Sequence, residues 1–328
     1  MRIVTISIVA ALLSLSAAER APIPGRDART EGLPAVLWQH PGSRDVYHGA
    51  GGRDRGPRGR FTFVKEDTGG TNPKFVIRDE SGAEWRVKLG REAQAETAAT
   101  RLLWAAGYFT DEDYVVPVLR VEGMQPLQRG NDKVDPDGSI RNARLERSYR
   151  DAEWLGSWEW DDNPFTNSRE FNGLRVLMAL LNNWDLKDSN TAVYRDGNQL
   201  IYLVSDAGAS FGTTAYQIPS GKSNVKKYTR SKFLTDVDAE SVSFSTPGRS
   251  PLWSPFIIPH FFVNLSRAHM RHIGKDVPRE DAKWIGQILS RLSREQIQSA
   301  FEAAGYSPAE VETFARVVEH RISQLNEL

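Results

Sequence analysis

The sequence contains no cysteine in 328 residues. A chain without cysteine forms no disulfide, no thiolate metal site, no cysteine nucleophile and no lipidated amino-terminal cysteine. It also has no excess of either charge, because 42 lysines and arginines balance 42 aspartates and glutamates. A formal net charge of zero produces no global field that would attract nucleic acid, so we expect no nucleic-acid partner.

Long hydrophobic runs are missing beyond the first residues. The start, MRIVTISIVAALLSLSAAER, has a basic Arg2, a mostly apolar run from Ile3 to Leu15 and small residues up to Ala18. This pattern predicts a secretory signal peptide over 1–18 and a secreted or periplasmic protein; the alternative is an uncleaved membrane anchor, for which the run is short. No later stretch approaches ~20 apolar residues, so we expect no membrane span after signal removal.

Two common enzyme classes find no support in the sequence. His269 and His272 are three residues apart, but no third ligand for a metal ion is evident. Ser205 is not part of the G-x-S-x-G turn that an acyl hydrolase requires.

The composition divides the chain into three parts after the signal peptide. Residues 19–60 are rich in Pro, Gly and Arg, which is typical of a linker or a loosely packed arm. Residues 61–148 predict the order β-β-β-α-β-β, with strands at 61–65, 74–78, 84–89, 114–122 and 139–147 and an Ala- and Glu-rich helix at 91–104. We therefore predict a small, mainly β unit with one helix.

Residues 149–328 are predicted to be mainly helical. Apolar residues at spacings of three and four predict a helix over 168–183 that Asn167 could cap. Short strands at 191–195 and 199–204 flank a turn, helical patterns dominate from 254 onward, and Ser293 to Gln296 form a plausible capping box. The segment from Trp154 to Phe165 is rich in aromatic residues, which usually pack in a core; the alternative is that this segment lines a substrate pocket.

Polar residues of particular types recur at the ends of these elements. Lys88 lies on the third strand, and Glu96 lies eight residues later on the helix, with Glu92 as the rival partner. The loop Asn182–Asn190 has the sequence NNWDLKDSN. In it, Asn190 follows Asp185 by five residues (190 − 185 = 5). Asp206 follows the hairpin 206 − 185 = 21 residues after Asp185, and Gly208 follows it.

With these motifs, the chain from Phe61 to Gly212 resembles the protein-kinase-like superfamily. It is similar to two atypical branches, the secretory-pathway kinases of the Golgi casein kinase type and the bacterial HipA-like kinases related to phosphatidylinositol kinases. The shared features are the Glu- and Ala-rich helix EAQAETAA, the sequence N-W-D in place of H-R-D, and D-A-G followed by S-F-G. The resemblance implies an α+β, bilobal fold: a small, mainly antiparallel β lobe with one helix over 61–148, and a larger, mainly helical lobe over 149–328.

The resemblance also implies a function, that of an exported atypical kinase which transfers the γ-phosphoryl group of ATP to a hydroxyl. Its cofactors would be ATP with Mg²⁺ or Mn²⁺. The implied roles are phosphate positioning by Lys88 with Glu96, phosphate cover by the amides of Gly69 and Gly70, orientation of the acceptor by Asp185, contact with the transferred phosphate by Lys187, and metal binding by Asn190 and Asp206.

The sequence departs from the family pattern in ways that leave alternatives open. Gly69 and Gly70 are not in a G-x-G-x-x-G motif and could form a plain hairpin turn, and Lys187 could pair with Asp188 or face solvent. The D-A-G motif lacks the Phe of D-F-G, and no A-P-E follows. Two other functions share these residues: a non-catalytic, pseudokinase-like binding protein, and nucleotidyl transfer. The fold and the metal site do not encode the acceptor, so the sequence leaves open whether it is a protein, a lipid, a sugar or a small molecule.

Overall fold

The amino-terminal half of the chain is built on a closed five-stranded barrel. We describe it from a computed structural model, which covers residues 30–69, 72–212, 221–245 and 270–328. Its elements are β1 (Ala35–Val36), β2 (Phe61–Asp67), β3 (Lys74–Arg78), β4 (Glu84–Lys88), α1 (Arg91–Ala105), β5 (Glu112–Glu122) and β6 (Ser139–Arg147). The barrel order is β2-β3-β4-β6-β5, and a short parallel contact between β2 and β5 closes it.

Alternation along the strands separates the barrel core from the cleft face. The side chains of Phe75, Ile77, Trp85 and Val87 point into the barrel and are at most 1% exposed. Because successive side chains of a strand point to opposite faces, Lys88 leaves the barrel core on the other side of β4. There it faces α1, which begins three residues later.

The carboxyl-terminal half combines helices with two small sheets. Its elements are β7 (Glu153–Gly156), α2 (Arg169–Leu180), β8 (Thr191–Asp196), β9 (Gln199–Val204), α3 (Val225–Arg230), β10 (Leu234–Val237), β11 (Ser241–Phe244), β12 (Val277–Pro278), α4 (Arg279–Leu289), α5 (Arg294–Glu302) and α6 (Pro308–Asn326). The strand order is β1-β9-β8-β7 in one sheet and β10-β11-β12 in the other.

Helix α2 sits at the centre of this half. Its residues Leu174, Leu177 and Met178 are fully or almost fully buried, as their spacing predicts. The prediction that Asn167 caps the helix is wrong by one residue. Ser168 is the cap: its backbone is extended, as a cap requires, and its hydroxyl accepts a hydrogen bond from the Phe171 amide at 3.1 Å, whereas Asn167 has a left-handed backbone. The predicted capping box at Ser293 and Gln296 is confirmed.

Residues 30–60 are not the loosely packed arm that their composition predicts. Strand β1 pairs in parallel with β9 of the carboxyl-terminal half. Leu37 and Val46 are buried in the main core, and Arg55 forms an ion pair with Glu112 of β5 at 2.7 Å. Pro, Gly and Arg give this segment its turns and its surface charge, but a few apolar residues tie it to both halves of the fold.

The α+β class is confirmed, and the strands and helices predicted between 61 and 204 are present with ends shifted by a few residues at most places. Strands β1, β7 and β10 to β12 were not predicted. The predicted signal peptide over 1–18, Gly70 and His269 lie outside the described residues. Within the described ranges, no helix is both long and apolar enough to cross a membrane.

Candidate active site

Lys88 and Glu96 form the inner end of the site. Strand β4 ends at Lys88, and one turn into α1 the helix presents Glu96, so that Lys88 Nζ lies 2.6 Å from Glu96 Oε2. Glu92, one turn earlier, is 3.8 Å from the same nitrogen and forms a closer ion pair with Lys222. The structure therefore makes Glu96, and not Glu92, the direct partner of Lys88.

A chain of buried charges supports Glu96 from behind. Arg144 of β6 is wholly buried and lies 3.5 Å from Glu96 Oε1. Its Nε donates to Asp113 at 2.9 Å, and Asp113 in turn is paired with Arg101 of α1. Buried charges are tolerated when they are paired and hydrogen-bonded. The network fixes α1 against β5 and β6 and so fixes the carboxylate that holds Lys88.

Lys88 is held as a cation. Burial alone would lower its pKa, but the charges of Glu96 and Asp206 outweigh burial and raise the pKa of Lys88. The Lys88 ammonium lies 3.5 Å from Asp206 Oδ2, across the cleft. The Lys88 ammonium is therefore a fixed positive charge in the cleft and the group there that can contact a phosphate.

The loop from Asn182 to Asn190 is organised around the backbone of Asp185. The Asp185 amide donates to Asn183 Oδ1 at 3.1 Å, and the Asp185 carbonyl accepts from Asn190 Nδ2 at 2.7 Å. Lys187 Nζ lies 3.0 Å from Asp185 Oδ1. Because the Asn190 amide nitrogen is engaged, its oxygen is the atom left to bind a cation.

The backbone of Asn190 also positions Asp206. The Asn190 carbonyl accepts hydrogen bonds from the amides of Ser205 and Asp206, at 2.9 and 3.2 Å. These two bonds hold the exit of the β8–β9 hairpin against the loop. They place Asp206 beside Asn190, although 16 positions separate the two residues in the chain (206 − 190 = 16).

Asp206 is an ionised carboxylate. Burial acts to raise its pKa, but Lys88 and the hydrogen bond from the Gly208 amide prevail and lower the pKa of Asp206. Its side chain is still 40% exposed, so it remains accessible from the cleft. Gly208 is needed for close approach, since a Cβ there would lie 2.6 Å from Glu92 Cγ.

These groups line one cleft of about 760 Å³ between the barrel and the β7–β8–β9 sheet. Its walls include Lys88, Glu96, Asn190 and Asp206, four of the residues that the sequence predicted. Asp185 and Lys187 are not part of the wall but adjoin it through Asn190. The volume falls within the range of small-molecule sites.

Gly69, one of the two glycines predicted to cover the phosphates, does not line this cleft. The Gly69 amide donates to Asp67 Oδ1 at 3.0 Å, and its carbonyl accepts from Arg129 at 3.2 Å. Gly69 is not among the cleft-lining residues, and Gly70 is outside the described residues. Phosphate cover by these glycines stays a prediction.

A second groove of about 740 Å³ lies between β5 and the loop at 123–138. Its charged residues are engaged with one another: Arg120 pairs with Asp137 at 2.6 Å, and Arg60 approaches Glu122 at 4.0 Å. The cleft at Lys88, in contrast, brings charges of both signs together around one open space. We therefore place the functional site in that cleft.

The residues present fit a divalent cation. Asp206 supplies an ionised carboxylate and Asn190 an amide oxygen, which are ligands that Mg²⁺ and Mn²⁺ prefer. Oxygens of Glu92, Glu96 and Asp206 also lie within 4.8 Å of one another. Glu92 and Glu96 are buried against Lys222 and Lys88, whereas Asp206 lies farther from Lys88 and is partly exposed, so Asn190 and Asp206 are the more accessible pair.

Sequence reasoning missed several residues of this site. Arg144 and Asp113 support Glu96 from strands, and Lys222 pairs with Glu92 from 222 − 92 = 130 residues away. No short motif marks such partners. A buried arginine at the centre of a predicted strand was the one available signal, because charged residues are almost never buried unless paired.

A lysine held by a helix glutamate, a loop with Asp and Asn, and an Asp at the exit of the next hairpin occur here in one cleft and in that order. This order of groups resembles the one expected from the sequence for the protein-kinase-like superfamily. No protein-family model matches the sequence, and no curated protein sequence matches it significantly.

Three of the solved structures similar to this chain are kinases. One is the Helicobacter pylori proinflammatory kinase CtkA, at a TM-score of 0.42 and 12% identity over 81% of this chain and 96% of that one. Another is the Golgi casein kinase, at a TM-score of 0.40 and 11% identity over 83% of this chain and 74% of that one. A structure of the Golgi casein kinase with Mn/ADP bound matches at a TM-score of 0.31 and 12% identity, over 81% and 73%. At these scores the likeness is one of fold and carries no argument about activity.

Proposed function

We propose that this protein is an atypical kinase that transfers the γ-phosphoryl group of ATP to a hydroxyl acceptor. One observation carries the proposal. Lys88 lies between Glu96 and Asp206, at 2.6 and 3.5 Å, in a cleft that Asn190 also lines. A fixed cation, an ionised carboxylate and an amide oxygen in one cleft are what a metal-bound polyphosphate requires.

In this proposal, the cleft charges divide between phosphate and metal. Lys88 binds phosphate oxygens, and Glu96 keeps the ammonium in place because Arg144 fixes Glu96 in turn. Asp206 and Asn190 would hold Mg²⁺ or Mn²⁺, which when bound supplies positive charge against the phosphates. The division of the chain into a lobe over 61–148 and a lobe over 149–328 is part of the same proposal, with the cleft between them.

Asp185 is assigned to the acceptor. What supports this assignment is that the Asp185 backbone is hydrogen-bonded to Asn183 and to Asn190, and Asn190 lines the cleft. The acceptor oxygen forms a bond to the γ-phosphorus, the bond from that phosphorus to the bridging oxygen breaks, and ADP leaves. Asp185 accepts the hydroxyl proton, and Lys187, which is 3.0 Å from that carboxylate, faces the transferred group.

Asp185→Asn tests the proposal, with Asp188→Asn as the matched control. Asp188 is in the same loop, but its carboxylate accepts from the Trp160 amide at 3.2 Å and supports the loop instead. With ATP and Mn²⁺, and with water or the protein itself as the acceptor, Asp185→Asn should slow ADP formation by about 10²- to 10⁴-fold. Asp188→Asn should stay near the wild-type rate.

The outcome is read from both rate and product mass. The proposal is contradicted if Asp185→Asn forms ADP at the wild-type rate. A product that gains a nucleotide in place of a phosphate would establish nucleotidyl transfer. Nucleotide binding without any transfer would leave a pseudokinase-like binding protein.

A further inference from the structure

Trp154 is an exposed indole on the wall of the same cleft. It lies in β7 and is 58% exposed, whereas its neighbours Trp158 and Trp160 are 2% and 5% exposed and pack in the core. Within the described ranges, its ring makes no aromatic contact and its indole N–H no hydrogen bond. A large apolar ring left open in a polar cleft is the kind of surface that a planar ligand group covers.

Strand pairing sets the position of Trp154 relative to the charged end of the cleft. Trp154 pairs with Tyr194 of β8, and Ala192 and Tyr194, two residues apart on β8, line the cleft with it. Asn190 directly precedes β8. Four residues of extended chain separate Asn190 from Tyr194, about 13 Å at the rise of a strand. An extended nucleotide whose phosphates lie at Lys88, with their metal ion at Asn190 and Asp206, would thus reach Trp154 with its base.

Near Trp154, the backbone amides of residues 149–152 all donate hydrogen bonds within the protein. The amides of Tyr149 and Arg150 donate to the carboxylates of Asp111 and Glu112, at 3.0 and 3.1 Å. The amides of Asp151 and Ala152 donate to backbone carbonyls at 3.2 and 2.8 Å. These four donors are therefore unavailable to read the edge of a base.

The nearby carboxylates are engaged as well. Asp111 accepts from the Tyr149 amide, and Glu146 pairs with Arg144 and lies 3.8 Å from Arg86. Stacking depends on the face of a ring and not on its edge, and every base offers such a face. Recognition by stacking alone discriminates little between bases that are similar in size.

We propose that the indole of Trp154 is the platform on which the nucleobase stacks, so that the site takes purine nucleotides with little regard to base identity. This inference rests on the proposed nucleotide site. It assigns affinity for the base to one side chain, and it predicts that ATP and GTP bind within about threefold of each other.

Calorimetric titration with and without the base separates the two ends of the ligand. The ligands are ATP, GTP and inorganic tripolyphosphate, each with Mn²⁺, and the proteins are wild type, Trp154→Ala and Trp154→Phe. Trp154→Ala should weaken ATP and GTP by about tenfold and leave tripolyphosphate unchanged. Trp154→Phe should retain most of the affinity. Val118→Ala, 53% exposed on the barrel, is the control for loss of a surface apolar group.

Each of the remaining outcomes would contradict a particular part of the proposal. Equal ATP affinity in Trp154→Ala and wild type would remove the stacking role, and so would an equal loss of ATP and tripolyphosphate. A preference for one purine well above threefold would show that the base edge is read. If the wild type binds neither ATP nor tripolyphosphate, the proposed function itself is wrong.

Discussion

Asp111 is a buried carboxylate at the rear of the cleft, 3% exposed. Burial, reinforced by the charge of Glu146, raises its pKa to about 7 from an ordinary value of 3.8. The folded protein therefore keeps a proton on Asp111 that the unfolded chain releases above pH 3.8. The resulting contribution to stability is complete below that value and is lost as the pH rises through about 7.

Asp111→Asn should remove this pH dependence. Asparagine has the same shape and can still accept from the Tyr149 amide. Relative to the variant, the wild type should lose on the order of 3 kcal/mol of unfolding free energy between pH 4 and pH 7. Denaturant titration at several pH values measures the difference. Parallel curves for the two proteins would show that Asp111 is ionised throughout that range.

The charged residues of the site were predictable from sequence to different degrees. Lys88, Glu96, Asn190 and Asp206 each lie in or next to a recognisable element, and the resemblance supplied their order. The sequence could not decide whether Glu92 or Glu96 pairs with Lys88, because the two glutamates are one helical turn apart and lie on the same face of α1. Only the position of Lys222, brought close by the tertiary fold, engages Glu92 and leaves Glu96 to Lys88.

At the scale of elements, the start of α2 offers a clear test. The hydroxyl of Ser168 satisfies the Phe171 amide, so Ser168→Ala should lower the free energy of unfolding by about 1 kcal/mol. Asn167 has a left-handed backbone with φ of 67°, which glycine adopts without strain. Asn167→Gly should therefore be neutral or slightly stabilising. Chemical denaturation measures the free energy of unfolding of the two variants. If Asn167→Gly were the less stable variant, Asn167 would be the cap.

Elements with a strong internal pattern were predicted, and those held in place by distant partners were not. Helices α1 and α2 and strands β3, β8 and β9 carry their periodicity in their own residues. Strand β1 has two residues and exists because β9 lies beside it. Strand β7 is four residues long with a register shift against β8, and β12 contains Pro278. Such short edge strands show no alternation that a sequence can reveal.

At the scale of the whole molecule, the site exists because two halves meet. The barrel supplies Lys88 and Glu96, and the helical half supplies Asn190 and Asp206. Residues 30–60 contact both, through β1 on one side and Arg55 on the other. Pattern reasoning treats each segment separately, so it did not predict that residues 30–60 contact both the barrel and the carboxyl-terminal half. Export from the cytoplasm stays a prediction from the first residues.

The central claim is that Asp206 and Lys88 mark a metal–nucleotide site, and thermal unfolding of the full chain tests it most directly. The wild type is compared with Asp206→Asn, and with Asp196→Asn at the far turn of the same hairpin as the control, each with and without ATP and Mn²⁺. A ligand at about 100 times its Kd adds about 2.7 kcal/mol, which raises Tm by on the order of 5 °C. We predict this rise for the wild type and Asp196→Asn and its loss in Asp206→Asn. An equal rise in all three proteins, or none in the wild type, would contradict the account.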